Sequence, residues 1–432
     1  MKVLMFGWEF PPHISGGLGT ASFGLTKALL KTGIDIIFVI PKAYGDENPG
    51  KVRLLNASDV AVSITDEIFK SHWDQISYLE VDSTLLPYST EDEYFTILEK
   101  IEAGTSSEKI TLDAQKYTFS GGYGKNLMEE VRRYALVGAA IARDHEFDLI
   151  HAHDWLTYMA GVEAKKVSGK PLVVHMHATE FDRSGENINQ SVFDIERSGM
   201  MAADRVVAVS NMTRSIVINR HGIDESKVIT VHNGVEPPST TSQVENKKFV
   251  KEKIVTFLGR ITYQKGPEYF VEAAYKVLQR DPNVRFVMAG SGDLLTKMIK
   301  RVAELGISTR FHFTGFLKGD DVDKMFGMSD VYVMPSVSEP FGISPLEAMR
   351  SNVPVIISKQ SGVAEILKHA IKVDFWDIDA MADAIYGLIN YPSLPQMFKS
   401  YGKEEVDNIK WDQAGVKVKE IYDQVLVDYH TK

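Results

Sequence analysis

The feature that most constrains the fold is an alternation of short apolar segments and amphipathic stretches that occurs twice along the chain. The first series begins with Lys2–Gly7 and continues to Asn233, and the second runs from Ile254 to Asp374. Between them, Pro237–Lys248 is polar, lacks an apolar period and is typical of a linker. Such alternation predicts parallel sheets covered by helices, so the expected fold class is α/β with two doubly wound, Rossmann-like units.

The length of 432 residues also favours two domains, because one hydrophobic core seldom organises so long a chain. We expect a first domain over residues 1–240, a second over 250–395 and a C-terminal segment over 396–432. The interval 43–121 is polar and irregular, which predicts an insertion that shapes a cleft and lies outside the main sheet. Within the last segment, Trp411–Tyr429 predicts a packed helix that buries Val416, Ile421, Val425 and Val427.

Composition excludes several classes of protein. The net charge of -10 argues against nucleic acid as a partner, and the absence of cysteine rules out disulfides, thiolate metal sites and cysteine nucleophiles. The N-terminal apolar run is too short and too polar for a signal peptide, and no segment approaches about 18 uncharged apolar residues. A cytoplasmic protein without a spanning membrane segment is therefore expected.

A glycine-rich stretch, Ser15–Gly24, follows the first strand and opens the first helix. Main-chain N–H groups at such a helix start can approach phosphate oxygens closely, although a simple glycine turn is the alternative. A nicotinamide dinucleotide site is disfavoured, because Gly17 and Gly19 fit the G-x-G-x-x-G pattern whereas Ser22 occupies its third glycine.

Cations and carboxylates follow strands of the second series. Arg260 and Lys265 lie five residues apart after an apolar strand, where a forked guanidinium and an ammonium suit one diphosphate, although solvated surface cations are the alternative. Glu339 and Glu347 lie eight residues apart in a loop that leads into a helix. Acceptors for hydroxyl groups together with cations for phosphate indicate an enzyme that handles nucleotide-activated sugars.

The two glutamates have different alternatives. Ser344 and Glu347 match a capping box, so Glu347 is expected to be partly structural while remaining able to accept from the two hydroxyls of a ribose. The main-chain N–H groups of Gly342, Ile343 and Ser344 precede this helix and offer a second phosphate cradle. Glu339 has no capping role and is the better candidate for chemistry or sugar binding.

Histidines end two neighbouring strand candidates, at His151–Trp155 and at His175–His177. Strand alternation places His151 and His153 on one face, and likewise His175 and His177, which leaves a metal site open as an alternative. The inner histidines are expected to be core residues bonded to backbone. Asp154 and His177 lie at the strand tips, where they could bind sugar hydroxyls.

These motifs together resemble the retaining glycosyltransferases of the GT-B fold, particularly glycogen and starch synthase-like enzymes, over nearly the whole chain. The resemblance implies two Rossmann-like domains facing across a cleft, with a C-terminal segment that crosses back to the first domain. It assigns the donor diphosphate to the glycine loop (Gly16, Gly17 and Gly19) and to Arg260 and Lys265, the donor site to Asp154, and the sugar to His177. Glu339 would face the transferred sugar and Glu347 would bind the ribose, in the family's E-x7-E motif.

The implied function is transfer of glucose from ADP- or UDP-glucose to an α-glucan with retention, without a metal or other cofactor. Ile14 occupies the position where bacterial glycogen synthases carry a lysine, and this departure leaves the nucleotide open. A lipid or small-molecule acceptor is an alternative, although the helical run Asn126–Asp144 mixes acids with its basic residues. A nucleotide-sugar epimerase and a non-catalytic glucan-binding protein are the remaining alternatives.

Overall fold

The protein contains two separate parallel sheets, which confirms the expected α/β GT-B architecture. The computed structural model describes residues 1–13, 16–48, 50–62, 115–124, 126–236 and 251–431. The expected linker Pro237–Lys248 and most of the interval 43–121 lie outside these residues.

The first sheet has seven parallel strands in the order β3-β2-β1-β6-β7-β8-β9. They are β1 (Lys2–Phe6), β2 (Asp35–Ile40), β3 (Arg53–Asn56), β6 (Leu149–His153), β7 (Leu172–Met176), β8 (Arg205–Ala208) and β9 (Val228–Thr230). A separate antiparallel pair consists of β4 (Ala61–Val62) and β5 (Gln115–Lys116). Strand order reverses between β1 and β6, which pair directly, so a crevice is expected at their carboxyl ends.

The second sheet has six parallel strands in the order β12-β11-β10-β13-β14-β15. They are β10 (Lys253–Leu258), β11 (Val284–Ala289), β12 (Phe311–Gly315), β13 (Val331–Met334), β14 (Val355–Ser358) and β15 (Ile371–Val373). The reversal here lies between β10 and β13. The two sheets therefore repeat one doubly wound plan, each with its own switch point.

Helices connect nearly all the parallel strands, because parallel neighbours need a long crossover connection. They are α1 (Gly17–Lys31), α2 (Leu127–Asp144), α3 (Trp155–Ser168), α4 (Glu180–Ser184), α5 (Gln190–Ala202), α6 (Asn211–Asn219), α7 (Pro267–Arg280), α8 (Leu295–Glu304), α9 (Asp320–Met328), α10 (Ser344–Arg350), α11 (Ile378–Asn390), α12 (Ser393–Asp407) and α13 (Trp411–His430). Central strands such as β6 and β7 are buried along their whole length, because helices cover both faces of the sheet.

The terminal helix α13 packs against α1 on the first sheet. A Cβ placed on Gly24 would lie 2.4 Å from the Trp411 ring, and one on Gly415 would lie 2.7 Å from the Ala28 side chain, so glycine permits this close approach. The packing face was predicted only in part. Ile421 and Val425 are buried as expected, but Val416 and Val427 are exposed, and the true face adds the residues Trp411, Ala414, Val418 and Tyr422.

The structure corrects the expectation that the interval 43–121 lies outside the main sheet. β3 extends that sheet by pairing in parallel with β2 over four residues, from Ile37 opposite Arg53 to Ile40 opposite Asn56. β3 escaped notice because it is only partly buried and carries arginine and asparagine at its ends. An edge strand needs just one apolar face, so its sequence resembles a loop.

Candidate active site

The sequence-predicted residues lie at the carboxyl ends of the strands that border the two switch points. Asp154 follows β6 and His177 follows β7, while Gly16 and Gly17 begin α1 after β1. On the second sheet, Arg260 and Lys265 follow β10, and Glu339 follows β13. These ends are where open α/β sheets bind ligands.

His177 is held by a second imidazole. His153 Nδ1 and His177 Nε2 lie 3.0 Å apart, so one ring donates a hydrogen bond to the other. Burial lowers the pKa of His177 to about 3, which keeps the ring neutral at physiological pH. Its Nδ1 atom is buried without a hydrogen-bond partner among the described residues and is available to a ligand.

Asp154 adopts a strained conformation directly after β6. Its φ of 64° is left-handed, an uncommon region for a non-glycine residue, and the residue forms the N-cap of α3. Burial raises the pKa of its carboxyl to about 7, although Arg183 and main-chain N–H groups of Trp155 and Ala178 oppose the shift. The carboxyl oxygen Oδ1 is buried and finds no partner among the described residues. Strain and an unsatisfied polar atom at one position are typical of a functional site.

Arg183 of α4 is a site residue that the sequence argument missed. Its guanidinium binds Glu180 at 3.0 Å, contacts Asp154 at 3.9 Å and hydrogen-bonds Glu196. Its side chain is only 23% exposed. Burial opposes the shift, but the carboxylates of Asp154, Glu196 and Glu180 raise the pKa of its guanidinium. A capping box at Thr179 and Asp182, visible in the sequence as T-x-x-D, was the available signal for this helix.

His177 and three deeper histidines, His151, His153 and His175, form a cluster of stacked rings. His151 bonds the Tyr422 hydroxyl of α13 through Nδ1, which corrects the expectation that it bonds backbone. The ligand nitrogens of His151, His153 and His175 lie within 4.8 Å of one another, so these three could hold a metal ion. The trio contains no carboxylate or thiolate that would offset the charge of such an ion, and burial holds the pKa of each ring well below its usual range.

On the second sheet, Lys265 and Glu339 form an ion pair that sequence reasoning did not foresee. Lys265 Nζ lies 2.5 Å from Glu339 Oε2, and Ser336 Oγ donates to the same oxygen at 3.2 Å. The glutamate side chain is 9% exposed and the lysine side chain 21%. The predicted cation for phosphate and the predicted sugar-facing carboxylate therefore pair with each other.

Arg260 lies in a different environment. It is exposed, and its guanidinium donates to the side-chain oxygen of Gln264 at 3.2 Å. Among the described residues, no carboxylate forms an ion pair with it. Because the side-chain amide of Gln264 is neutral, the Arg260 guanidinium can exchange this hydrogen bond for an anion at little cost in free energy.

Two helix starts offer main-chain N–H groups toward the cleft. A Cβ built on Gly16 or Gly17 would meet no atom within 4 Å, so the space around the start of α1 is open. At the second start, Gly342 has a φ of +96°, and a Cβ there would lie 3.1 Å from the Glu339 side chain. Glycine at position 342 therefore leaves room for the Glu339 side chain. Gly19 is buried within α1.

The predicted capping box of Ser344 and Glu347 is wrong. The helix begins at Ser344 with Ile343 as its N-cap, and no side chain caps it. The Ser344 hydroxyl instead lies within hydrogen-bonding reach of Tyr332. Burial raises the pKa of Glu347, partly opposed by Arg350. Free of a capping bond, the Glu347 carboxyl remains available for the predicted ribose contact.

The two halves of the site meet through α4. This helix contacts the turn Tyr263–Lys265, and Ser338 of the Glu339 loop donates to Asp182 Oδ1 at 2.5 Å. Elsewhere along the cleft, His232 lies 2.8 Å from Glu365. The residues from the first sheet therefore face those from the second across one cleft.

Family models match two parts of the chain. The model described as glycosyl transferases group 1 matches residues 239–405, and the model of glycosyltransferase family 4 matches residues 123–238. The two matches adjoin and divide the chain close to the expected linker.

Relatives and solved structures match over nearly the full length. An uncharacterized glycosyltransferase of Methanocaldococcus jannaschii is 28% identical, with 98% of both chains covered. A glycogen synthase of Mycobacterium tuberculosis is 20% identical over 98% of this chain and 94% of its own. Among structures, sucrose-phosphate synthase from Thermosynechococcus elongatus has a TM-score of 0.70 at 16% identity, covering 99% of each chain. The Anabaena protein Alr3699/HepE in complex with UDP-glucose has a TM-score of 0.65 at 17% identity, covering 98% of this chain and 100% of its own.

Proposed function

Since the chain is a GT-B glycosyltransferase of the retaining group 1 and family 4 type, which uses a nucleotide-sugar donor, we propose that it transfers glucose from ADP- or UDP-glucose to an α-glucan. Support for the glucan acceptor comes from the motifs that resemble glycogen synthases and from the full-length match to one such enzyme. The named relatives differ in acceptor, so this part of the proposal depends on direct measurement.

One observation carries the proposal: the polar strand ends at both switch points converge on a single cleft. Asp154 and His177 approach from the first sheet, and Lys265 and Glu339 from the second, with α4 in contact with the Lys265 turn. A sugar diphosphate has a neutral, hydroxyl-rich end and an anionic end. The first-sheet side provides hydrogen-bonding side chains and the main-chain N–H groups at the start of α1. The second-sheet side provides the cations Arg260 and Lys265 and the N–H groups at Gly342–Ser344.

In the proposed reaction, the bond between the anomeric carbon and the diphosphate oxygen breaks while an acceptor hydroxyl oxygen bonds to that carbon. The proton of that hydroxyl passes to the departing diphosphate, which leaves as the nucleoside diphosphate. Charge grows on the departing diphosphate. Arg260, Lys265 and the helix starts at Gly16–Gly17 and Gly342–Ser344 would stabilise it, an effect worth about 10²–10³-fold per donor in comparable sites. Lys265 must then share its ammonium between Glu339 and the phosphate.

The sugar end would be held by neutral groups. His177 is neutral with a free Nδ1 atom, and Asp154 has an unpartnered carboxyl oxygen beside it in the fold. Glu339, once its lysine turns toward phosphate, would present a carboxylate to the sugar face, where positive charge develops at the anomeric carbon. Glu347 would accept from the ribose.

A membrane-associated acceptor is less well supported. The helix suggested as a basic membrane-binding surface, α2, buries Val131, Tyr134 and most of the run Val137–Ala142, and it packs against α3. Its apolar face is therefore occupied by the protein core. No helix in the described ranges is both long and apolar enough to cross a membrane.

A donor screen followed by product analysis tests the proposal. ADP-, UDP- and GDP-glucose are compared by thermal shift, because a ligand that binds only the native state at a hundred times its Kd stabilises it by about 2.7 kcal/mol. The stabilising donor is then incubated with glycogen, with a lipid acceptor or alone, and products are identified by NMR. A longer α-glucan supports the proposal. Transfer only to lipid, a new epimer without acceptor, or no binding of any nucleotide sugar would each overturn it.

A further inference from the structure

A carboxylate and a hydroxyl join the two halves of the site directly. Asp182 is 1% exposed and belongs to α4, next to the residues of the first sheet, whereas Ser338 immediately precedes Glu339 on the second sheet. Ser338 Oγ donates to Asp182 Oδ1 at 2.5 Å across 156 residues of sequence. We propose that Asp182 and Ser338 form a latch that aligns Lys265 and Glu339 with the sugar-binding residues in the closed, reactive conformation.

The carboxylate of Asp182 has a separate task for each oxygen. Oδ2 accepts from the main-chain N–H and from the hydroxyl of Thr179, both at 2.7 Å, and so completes the capping box of α4. Oδ1 is thereby left to Ser338. The contacts within α4 fix the orientation of the Asp182 carboxylate, which makes Oδ1 a rigid acceptor for the Ser338 hydroxyl.

On the first-sheet side, α4 is anchored to the donor site. The Ala178 N–H hydrogen-bonds the Asp154 carboxyl, and Arg183 donates to the Ala178 carbonyl at 2.9 Å while it contacts Asp154. His177 directly precedes this segment. Any displacement of α4 would therefore move the groups that are proposed to hold the sugar.

On the second-sheet side, Ser338 is bound to the turn that contains Lys265. The Gln264 carbonyl accepts from the N–H groups of Val337 at 2.9 Å and of Ser338 at 3.5 Å. Lys265 and Glu339, the neighbours of Gln264 and Ser338, form the ion pair described above. Because Lys265 adjoins Gln264 and Glu339 adjoins Ser338, a shift of Asp182 would move both charged residues.

The latch rests on the proposed function and predicts a specific kinetic signature. The contact positions groups that would act on the departing diphosphate in the transition state, so its loss should lower kcat and leave donor KM nearly unchanged. A hydrogen bond to a charged group corresponds to about a 10- to 100-fold change in rate. Removing the hydroxyl with Ser338→Ala should therefore lower kcat by that factor and change KM less than about threefold, while Ser338→Thr, which keeps a hydroxyl, should restore most of the rate.

The matched control is Glu365→Gln, which weakens a different contact across the cleft. Glu365 binds His232 at 2.8 Å and the N–H groups of Asn211 and Met212, at the start of α6. Loss of this contact should lower the melting temperature without lowering kcat. Comparison of Ser338→Ala with Glu365→Gln distinguishes a loss of alignment within the site from a loss of contact between the two halves.

The experiment measures nucleotide release from ADP-glucose and UDP-glucose with glycogen as acceptor, together with melting temperatures, for the wild type and the three variants. A loss of kcat confined to Ser338→Ala, with rescue by Ser338→Thr, supports the latch. If Ser338→Ala keeps the wild-type kcat, or if Glu365→Gln loses as much, the latch is wrong and the proposed function stands. A wild type that neither binds nor consumes either donor overturns the proposed function and the latch with it.

Discussion

Replacement of Lys265 separates its structural role from its chemical role. The variant Lys265→Met removes the ammonium but keeps much of the apolar stem, and it leaves Glu339 only 9% exposed without its cation. Two losses are expected: a loss of stability, from the unpaired carboxylate, and a loss of turnover, from the missing charge at the diphosphate.

The magnitude of the first loss follows from the geometry of the pair. At the observed 2.5 Å and an effective dielectric constant of about 20, the Coulomb attraction is about 7 kcal/mol. The 21% exposure of the lysine side chain screens part of it, and Ser336 still donates to Glu339 Oε2 after the change. Because truncating one partner of a buried pair costs about 3–5 kcal/mol, we expect about 2 kcal/mol for this partly exposed one.

The double variant Lys265→Met/Glu339→Gln isolates the cause. A neutral amide needs no cation, so the double variant should regain most of the lost stability relative to Lys265→Met. Turnover should remain at least about 10²-fold below wild type in both, because the charge for the departing diphosphate is still absent. Lys276→Met is the matched control, since Lys276 pairs with Asp379 at 2.5 Å but is 40% exposed and belongs to the outer helix α7.

Urea unfolding gives the free energy of unfolding of each variant, and nucleotide release gives kcat. A double variant no more stable than Lys265→Met would refute the unpaired-carboxylate explanation. A Lys265→Met enzyme with turnover within a few-fold of the Lys276→Met control would refute the role of Lys265 at the diphosphate.

Three further predictions follow from individual contacts. Burial raises the pKa of Asp154 to about 7 from its ordinary value of 3.8, so this residue makes the free energy of unfolding fall as pH rises from about 4 to 7. Asp154→Asn should remove that slope in urea unfolding at several pH values, and an unchanged slope would contradict the prediction. Gly266 has a φ of +63°, and a Cβ there would lie 2.1 Å from the Pro335 carbonyl oxygen. Gly266→Ala should therefore lower the free energy of unfolding by more than about 1 kcal/mol and weaken donor binding in calorimetry. Wild-type stability in this variant would refute the close approach. Tyr422→Phe leaves His151 without its partner from α13 and should lower the free energy of unfolding by about 1–3 kcal/mol, while no measurable loss would mean that the bond contributes nothing.

The sheet plan was predictable from sequence because buried parallel strands are nearly continuous apolar runs. Helices such as α6 and α7 are recognisable in the same way, since each has a start signal, the N-cap Ser210 or the first-turn Pro267, ahead of a helical stretch. β3 and α4 were missed for the opposite reason: one is a partly buried edge strand and the other has only five residues. Short elements are specified by tertiary contacts more than by local pattern.

Within the site, position at a strand end was predictable but partnership was not. The placement of Asp154 and His177 follows from chain order alone. The pairing of Lys265 with Glu339 depends on how the loops after β10 and β13 fold toward each other, over a separation of 74 residues. The false capping box at Ser344 shows the limit of local motifs, because Ser344 there begins the helix instead of preceding it. The functional roles assigned to these residues stay predictions.

The cations of the site differ in their freedom to meet an anion, and this difference suggests an order of events. Arg183 contacts three carboxyl groups, those of Asp154, Glu180 and Glu196, so its charge is already balanced and its proposed role is to organise the sugar side. Lys265 is paired with a single carboxylate, that of Glu339. Arg260 is exposed and bound to a neutral amide, so under the proposed function it would be the first of the three to bind a diphosphate.

In the proposed reaction, Lys265 would respond only after that capture, because it must leave or share Glu339. Its movement toward the diphosphate would at the same time release negative charge on Glu339, next to the sugar that becomes electron-deficient. One displacement would thus supply positive charge to the leaving group and negative charge to the anomeric centre. In the proposed reaction the ion pair would therefore have two uses: the lysine keeps the buried glutamate from being unpaired, and both charges would act on the substrate once a phosphate competes for the lysine.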